Sequence, residues 1–354
     1  MLYPITKNYK YGFTNAKGEI VVEPIYDLIG RFSEDRCRVE QSEDIDRYQG
    51  CINSNGEVVV PLEKRWYLSD FSGGLAYYAR YGEKVGFIDR WGEVKIEPQF
   101  EGEYEGEGTS GFNEGVAAVA IPDGCIYIDT ESKRLFDGTV FEIARRFSSG
   151  YALVKHFPAT PDKREKLFLI DRTGEKLETI PCGFSSRTQG FREGLCKVYL
   201  RGLDENEEDR IGFIDTTGNL AFEERFADSS GFHEGLCTVK KEKTRYGVIN
   251  TKGEWVIEPK YEDINLFSNG IAPFRQDGKW GLINDRGEII LPPTFFNISS
   301  FAPNVLGERI YNNSEPFELT TASIIEEYPP KKPPKQVYIN RAGEIVMPYD
   351  ISDN

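Results

Sequence analysis

The chain reads as an all-β repeat protein: nine three-stranded β-meander units in an open, curved or superhelical, solenoid-like stack. Three observations predict this. One hairpin signal recurs nine times, a second Phe-and-Gly motif stands between consecutive copies, and the hairpin anchors are spaced 34 to 44 residues apart, with one interval of 56. A fixed internal period of that length overrides any domain count drawn from the 354 residues alone.

The hairpin is clearest in "GKWGLINDRGEII", Gly278 to Ile290. Its copies open on Asn15, Asn53, Asp89, Asp129, Asp171, Asp215, Asn250, Asn284 and Asn340. In eight of the nine a Gly follows three positions later, and Ser132 stands in the other. Glu follows that Gly in seven of the eight, with Asn219 as the exception. Asn or Asp bonds its own backbone two residues on, and the Gly supplies the left-handed residue that completes a type I turn with a G1 bulge. The flanks "GFIDRWGEVKI" and "GVINTKGEWVI" read as two antiparallel strands.

The second motif supplies the remaining strand. It reads "FSGGLAYY", "FNEGVAAV", "FSSGYALV", "FREGLCKV", "FHEGLCTV" and "FSNGIAPF", with worn copies "FSEDRCRV" and "FAPNVLGE". A Phe that can be buried precedes a Gly-bearing turn, and an apolar-small-x-apolar strand follows. A short polar loop then leads to the next hairpin. Leu2-Tyr3-Pro4-Ile5 stands in the same phase, ten residues before Gly12, so the first unit starts with the chain. The array of eight units spans residues 1–311, a Pro-rich insertion 312–336 with "YPPKKPPK" is extended, and residues 337–354 hold the last hairpin. Other length variation falls in loops near 101–111, 156–166 and 201–210.

Within this frame a residue repeated once per unit is scaffold, and function is sought where copies disagree. The Gly of the Trp-Gly step recurs as Gly12, Gly50, Gly86, Gly212, Gly247 and Gly281. A strand Gly marks close approach of another group, here expected to be an aromatic of the neighbouring unit. Trp255 takes a slot used by Ile20, Val58, Val94 and Ile289, so it reads as core. Two residues break the pattern. Trp91 occupies a turn position held elsewhere by Lys17, Asn55, Thr173 or Arg286. Tyr77 fills the third slot of the apolar-small-x-apolar strand, a slot expected to face solvent. Trp91 and Tyr77 are therefore the candidate interaction surface, since exposed aromatics anchor contacts. Against this stands the plainer reading that each packs on an adjacent loop.

A formal charge of −15 and a pI near 4.9 argue against a nucleic-acid or anionic-membrane partner. The one basic cluster, Lys331, Lys332 and Lys335, is too small to change that. No stretch approaches the ~20 apolar residues of a membrane span, and the N-terminal residues lack the pattern of a signal peptide, so a cytoplasmic location is expected.

Composed chemistry is scarce. Cys37, Cys196 and Cys237 share a slot with Ala76, Ala117, Ala152 and Ala272, so they read as small buried residues. No CxxC pair or Cys/His cluster has zinc spacing, and metal or cofactor is expected to be none. His156 and His233 have no nucleophile partner in the sequence, and the recurring carboxylates read as turn and surface residues rather than an acid/base pair. Neither GxGxxG nor GxxxxGK[ST] is present. An enzyme is not expected.

"GKWGLINDRGEIILPPTF", "YGVINTKGEWVIEPKYEDINLFSNGIAPF" and "VGFIDRWGEVKIEPQF" resemble the WG (KWG) repeats of bacterial proteins. The likeness covers nearly the whole chain and is strongest in the third, seventh and eighth units. The fourth and fifth units depart most, lacking the Trp-Gly step. The resemblance implies an interaction scaffold and carries no catalytic residue over. A closed β-propeller suits meanders of this size as well. Nine units that begin and end in the same phase leave no strand to share between the termini, and this favours the open stack. The functional expectation is a non-enzymatic scaffold for a protein partner, in complex assembly or toxin neutralisation. A carbohydrate or cell-wall binding module is the alternative and a glycoside-type hydrolase the third.

Overall fold

The computed structural model describes residues 2–102, 108–157, 166–180, 182–184, 188, 190–200, 210–241, 245–268, 270–301, 320–325, 335–339, 342 and 344–348. The Asn340 hairpin anchor, about two thirds of the 312–336 insertion and most of the long loops fall outside these residues. Among the described residues there are nine antiparallel sheets and no α-helix. Each sheet is a meander taken in chain order and is called a blade here.

Blade 1 holds Tyr3–Lys7, Lys10–Thr14 and Ile20–Tyr26; blade 2 holds Leu28–Ser33, Arg36–Glu43, Asp46–Ile52 and Val58–Lys64. Blade 3 runs through Trp66–Leu68, Leu75–Arg80, Val85–Asp89 and Val94–Phe100. Blade 4 keeps two strands, Val116–Ile121 and Gly124–Asp129; blades 5 and 6 have three each, between Ile143 and Ile170 and between Phe191 and Ile214. Blades 7, 8 and 9 have four, from Asp228 to Tyr261, Asp263 to Phe295 and Asn297 to Pro348.

The recurring hairpin folds as its residues require. Asn15 Oδ1 accepts from the backbone N–H of Lys17 at 2.9 Å and of Glu19 at 3.1 Å, while Gly18 takes φ +79°. The Glu after the Gly braces the turn from the far side. Asn53 Nδ2 donates to Glu57 Oε2 at 2.7 Å, and Asn250 and Asn284 do the same to Glu254 and Glu288. Asp has no such donor. In two of the four Asp turns the Thr at the second position substitutes, donating its hydroxyl to Asp171 or Asp215 at 2.6 Å. Ser132 takes the left-handed conformation in the copy without Gly.

Only three of the nine blades among the described residues are three-stranded. Five blades have a fourth, inner strand before the Phe motif, and the "Gly-bearing turn" is itself a two-residue hairpin. Both of its central residues have positive φ, as at Glu34 and Asp35 or Glu234 and Gly235, the type I′ geometry that matches strand twist. Six consecutive blades, 2 to 7, enter through this turn, and Ser268 pairs with Ile271 at the same place in blade 8. The inner strand has no visible signal in the sequence because it is as short as two residues, too few to display a period.

The Gly of the Trp-Gly step is also corrected. A Cβ on Gly281 would sit 2.4 Å from Leu291 O and 2.8 Å from Pro293 N. The visitor is the backbone of the blade's own outer strand, not a neighbouring aromatic. There Leu282 pairs with Leu291 but Trp280 with Phe295, so the outer strand carries two extra residues in a bulge. Blades 1, 3 and 7 repeat this register shift. The bulge holds the Pro of the Val-Ile-x-Pro segment, since Pro donates no ladder bond. Gly and Pro are therefore two halves of one device.

Among the described residues, eight apolar clusters lie between successive blades, one for each neighbouring pair. A blade so sandwiched has no solvent face at its centre, so the third slot of the second strand is buried in Arg38, Tyr77, Ala118, Leu153 and Thr238. A solvent-facing slot would require a half-buried sheet, which these blades are not. Trp255 is corrected in the opposite sense. Its slot lies on the exposed outer edge, where Ile20, Val58, Val94 and Ile289 are exposed, and Trp255 itself is half-buried against Phe226.

The blades radiate about a common centre, which corrects the open stack. Arg146 of blade 5 donates to Phe112 O ahead of blade 4 at 3.1 Å and to the Ser72 hydroxyl of blade 3, and it feels the charge of Glu34 in blade 2. In a linear pile, blade 5 could not reach blades 2 and 3. The inner turns also clasp one another: Glu34 accepts from Gly73 and Gly74 N–H at 2.7 and 2.8 Å, Glu114 from Gly150 at 2.9 Å, and Glu234 from Gly270 at 3.0 Å. This is a β-propeller arrangement. The absence of strand sharing between the ends is no argument against it, because lateral packing and the inner clasp can hold a propeller together without such sharing.

Candidate interaction surfaces

Successive turns of a meander alternate between the two ends of a blade, so the propeller has two faces. One carries the inner Phe turns and the Asn/Asp hairpins. The other carries the hairpins joining second and third strands, together with the links from one blade to the next.

On the first face, Trp91 is 66% exposed at the tip of its hairpin. Its backbone N–H donates to Asp89 Oδ1 at 2.9 Å, and the Arg90 guanidinium lies 6.0 Å from the ring centroid. Arg36 Nε donates to Arg90 O at 2.7 Å, so blade 2 fixes the base of this tip. Tyr77 does not join it. That ring is 8% exposed, stacks on Tyr67 at 5.9 Å and meets Phe87 edge-on at 6.5 Å within the core between blades 3 and 4. A stretch of fifteen residues thus begins with a core ring and ends with a surface ring.

The opposite face holds residues that repeat logic alone does not single out. Tyr9, Ile45 and Tyr81 are 98%, 91% and 91% exposed, and they crown equivalent tips of blades 1, 2 and 3. A chain of polar contacts ties the tips together. Lys10 pairs with Asp27, whose Oδ2 accepts from Ser42 N–H at 2.8 Å. Arg65 N–H donates to Arg47 O at 2.7 Å, and Tyr81 N–H donates to Arg65 O at 3.1 Å. Partial burial acts to raise the Asp27 carboxyl, but the Lys10 and Ser42 bonds outweigh it and hold its pKa below the usual range. The tips are thus fixed relative to one another.

Tyr9 adds strain to exposure. Lys7 pairs with Lys10, which leaves Asn8 and Tyr9 as a two-residue turn with φ of 50° and 65°. The corresponding tip of blade 8 places Gly278 at that second position. A left-handed tyrosine costs about 1–2 kcal/mol, and such outliers concentrate at functional sites. The signal is present in "TKNYKYGF": an aromatic in a loop that should hold Gly or Asn.

Among the described residues no group of three His, Cys, Asp or Glu could hold a metal ion. Five of the six thiols are buried, and burial pushes Cys51 and Cys196 up to about 12 and Cys237 to about 11, far from thiolate reactivity. His156 stacks between Phe141 and Phe168, with both centroid distances 5.1 Å.

Comparison with known proteins agrees with this geometry. The crystal structure of a eukaryotic initiation factor superposes over 97% of this chain and 94% of its own, with a TM-score of 0.60 at 9% identity. At that identity the likeness concerns the fold alone, and it replaces the open stack with a propeller arrangement. The computationally designed Ika8 protein (13% identity, 88% and 96% covered) and BamB from Moraxella catarrhalis (12%, 85% and 92%) give TM-scores of 0.43 and 0.39. No curated protein matches the sequence. The family model described as WG containing repeat matches residues 11–43, 211–244, 246–280 and 280–304. The seventh and eighth units are among these stretches, whereas the third, fourth and fifth are not. At these four stretches the chain is similar to the WG containing repeat.

Proposed function

We propose that the protein is a non-enzymatic binding scaffold whose partner is another protein, held on the face crowned by Tyr9, Ile45 and Tyr81. One observation carries this reading: three nearly fully exposed apolar side chains on consecutive, mutually braced tips. Rigid aromatic anchors contribute most to protein recognition because little side-chain entropy is lost on binding. A role in complex assembly or toxin neutralisation fits such a scaffold, as does a bacterial cytoplasmic setting.

A second reading, a carbohydrate-binding module, is favoured by Trp91, whose exposed ring backed by Arg90 offers a stacking platform for a sugar. Affinity capture with the wild type, a Tyr9→Ser/Ile45→Ser/Tyr81→Ser variant and Trp91→Ala separates the two. The protein reading expects partners bound by the wild type and Trp91→Ala and lost by the triple variant. Partners unaffected by the triple variant, together with a glycan-array signal abolished by Trp91→Ala, would replace it with the carbohydrate reading.

A further inference from the structure

Three charged side chains meet where the inner ends of blades 2 and 3 adjoin. Arg31 precedes Phe32 on the inner strand of blade 2, and Asp70 precedes Phe71 just past the inner strand of blade 3, so they occupy equivalent positions in the repeat. Arg38 enters from the buried third slot of blade 2 and is only 4% exposed. Its guanidinium Nη1 donates to Leu68 O, which fixes it against the segment leading to Asp70. Gly30 closes the cluster from behind: a Cβ there would lie 3.1 Å from Arg38 Cβ and 3.2 Å from Asp70 Oδ1.

The hydrogen bonding of this cluster is incomplete. Arg38 Nε and Asp70 Oδ1 are both buried without a hydrogen-bond partner. Arg31, half-buried, interacts with Asp70 through space, and Asp70 feels both guanidiniums. Two cations face one carboxylate, an excess of positive charge inside a molecule of formal charge −15. A purely structural ion cluster matches its charges and satisfies its donors, because buried orphans are costly. This one leaves a donor of Arg38 and an acceptor of Asp70 unpartnered, with a second guanidinium, Arg31, beside the same carboxylate.

We propose that Arg31, Arg38 and Asp70 form a binding site for a small oxyanion that still carries a proton, of which hydrogen phosphate is the type. Arg31 and the Arg38 Nε–H donate to two of its oxygens, and its own P–O–H donates to Asp70 Oδ1. Every orphan atom is satisfied in that arrangement, and the charge excess falls. Asp70 also confers selectivity. Sulfate has no proton at neutral pH, so it would set lone pairs against the carboxylate.

Thermal unfolding at constant ionic strength tests this with inorganic phosphate, glycerol phosphate, sulfate and chloride at about pH 6, where both phosphates keep a proton on much of the population. Saturating phosphate is expected to raise the Tm by about 2–4 °C over chloride, with sulfate indistinguishable from chloride. Arg31→Gln should abolish the shift. Asp70→Asn should remove the preference, letting sulfate stabilise as phosphate does, and a distant control, Lys17→Gln, should change nothing. A shift with glycerol phosphate would assign the site to the phosphoryl group of an ester; a shift with inorganic phosphate alone would assign it to the free ion. No phosphate shift in the wild type, equal shifts with sulfate, or a shift retained in Arg31→Gln would overturn the proposal.

Discussion

Single residues in this protein are informative where they break the repeat, and Tyr9 is the clearest case. It stands in a left-handed turn position that blade 8 gives to Gly278. Tyr9→Gly is expected to stabilise the fold by about 1 kcal/mol while weakening partner capture, a pairing that urea denaturation and affinity capture would register together. If the variant were less stable, strain at Tyr9 would not be the reason for its exposure. Gly281 makes the opposite case. Its φ is ordinary, but Leu291 O stands 2.4 Å from where a Cβ would go, so Gly281→Ala should cost about 1–3 kcal/mol. An unchanged denaturation midpoint would show that the outer-strand bulge yields freely. The thiols add a third test. Among the six, Cys182 alone is partly accessible, so native protein should react rapidly with a thiol reagent at one site at most, and denatured protein at six.

At the scale of the element, the Asn/Asp turn was legible because its chemistry is local, a side-chain acceptor, a left-handed Gly and two short strands, although the brace from the following Glu was not. What escaped was non-local. The inner strand is too short to show a period, and the Gly of the Trp-Gly step faces a bulge ten residues away that only the folded pairing reveals. Tyr77 was misplaced for the same reason, since one strand's alternation does not say whether a second sheet covers its other face. Trp91 was legible as exposed because hairpin tips protrude whatever packs below. The hairpins also make a prediction about pH. Hydrogen bonds from Thr173 and Thr217, chiefly through their hydroxyls, hold Asp171 and Asp215 below the usual carboxylate range. Because these folded-state values are depressed, their contribution is complete above the unfolded value of about 3.9. It is lost as the pH falls below that value and through the folded-state pKa. Thr173→Val/Thr217→Val should therefore lower stability at neutral pH and flatten its decline on acidification. Parallel pH profiles for variant and wild type would deny the hydroxyls this role.

The whole molecule depends on one geometric fact, that the blades converge. The sequence showed that neighbours stack, which a linear pile and a ring share; it could not show that Arg146 of blade 5 reaches Ser72 of blade 3. Convergence braces the tips bearing Tyr9, Ile45 and Tyr81 on one face and brings Arg31 and Asp70 together at the inner ends of their blades. The most direct test is small-angle X-ray scattering of the monomer. A compact body of 354 residues has a radius of gyration of about 20 Å, and the propeller predicts a value near this with a single-peaked distance distribution. A pile of nine sheets about 10 Å apart would extend roughly 90 Å. A markedly larger radius with a long tail in the distance distribution would contradict the propeller.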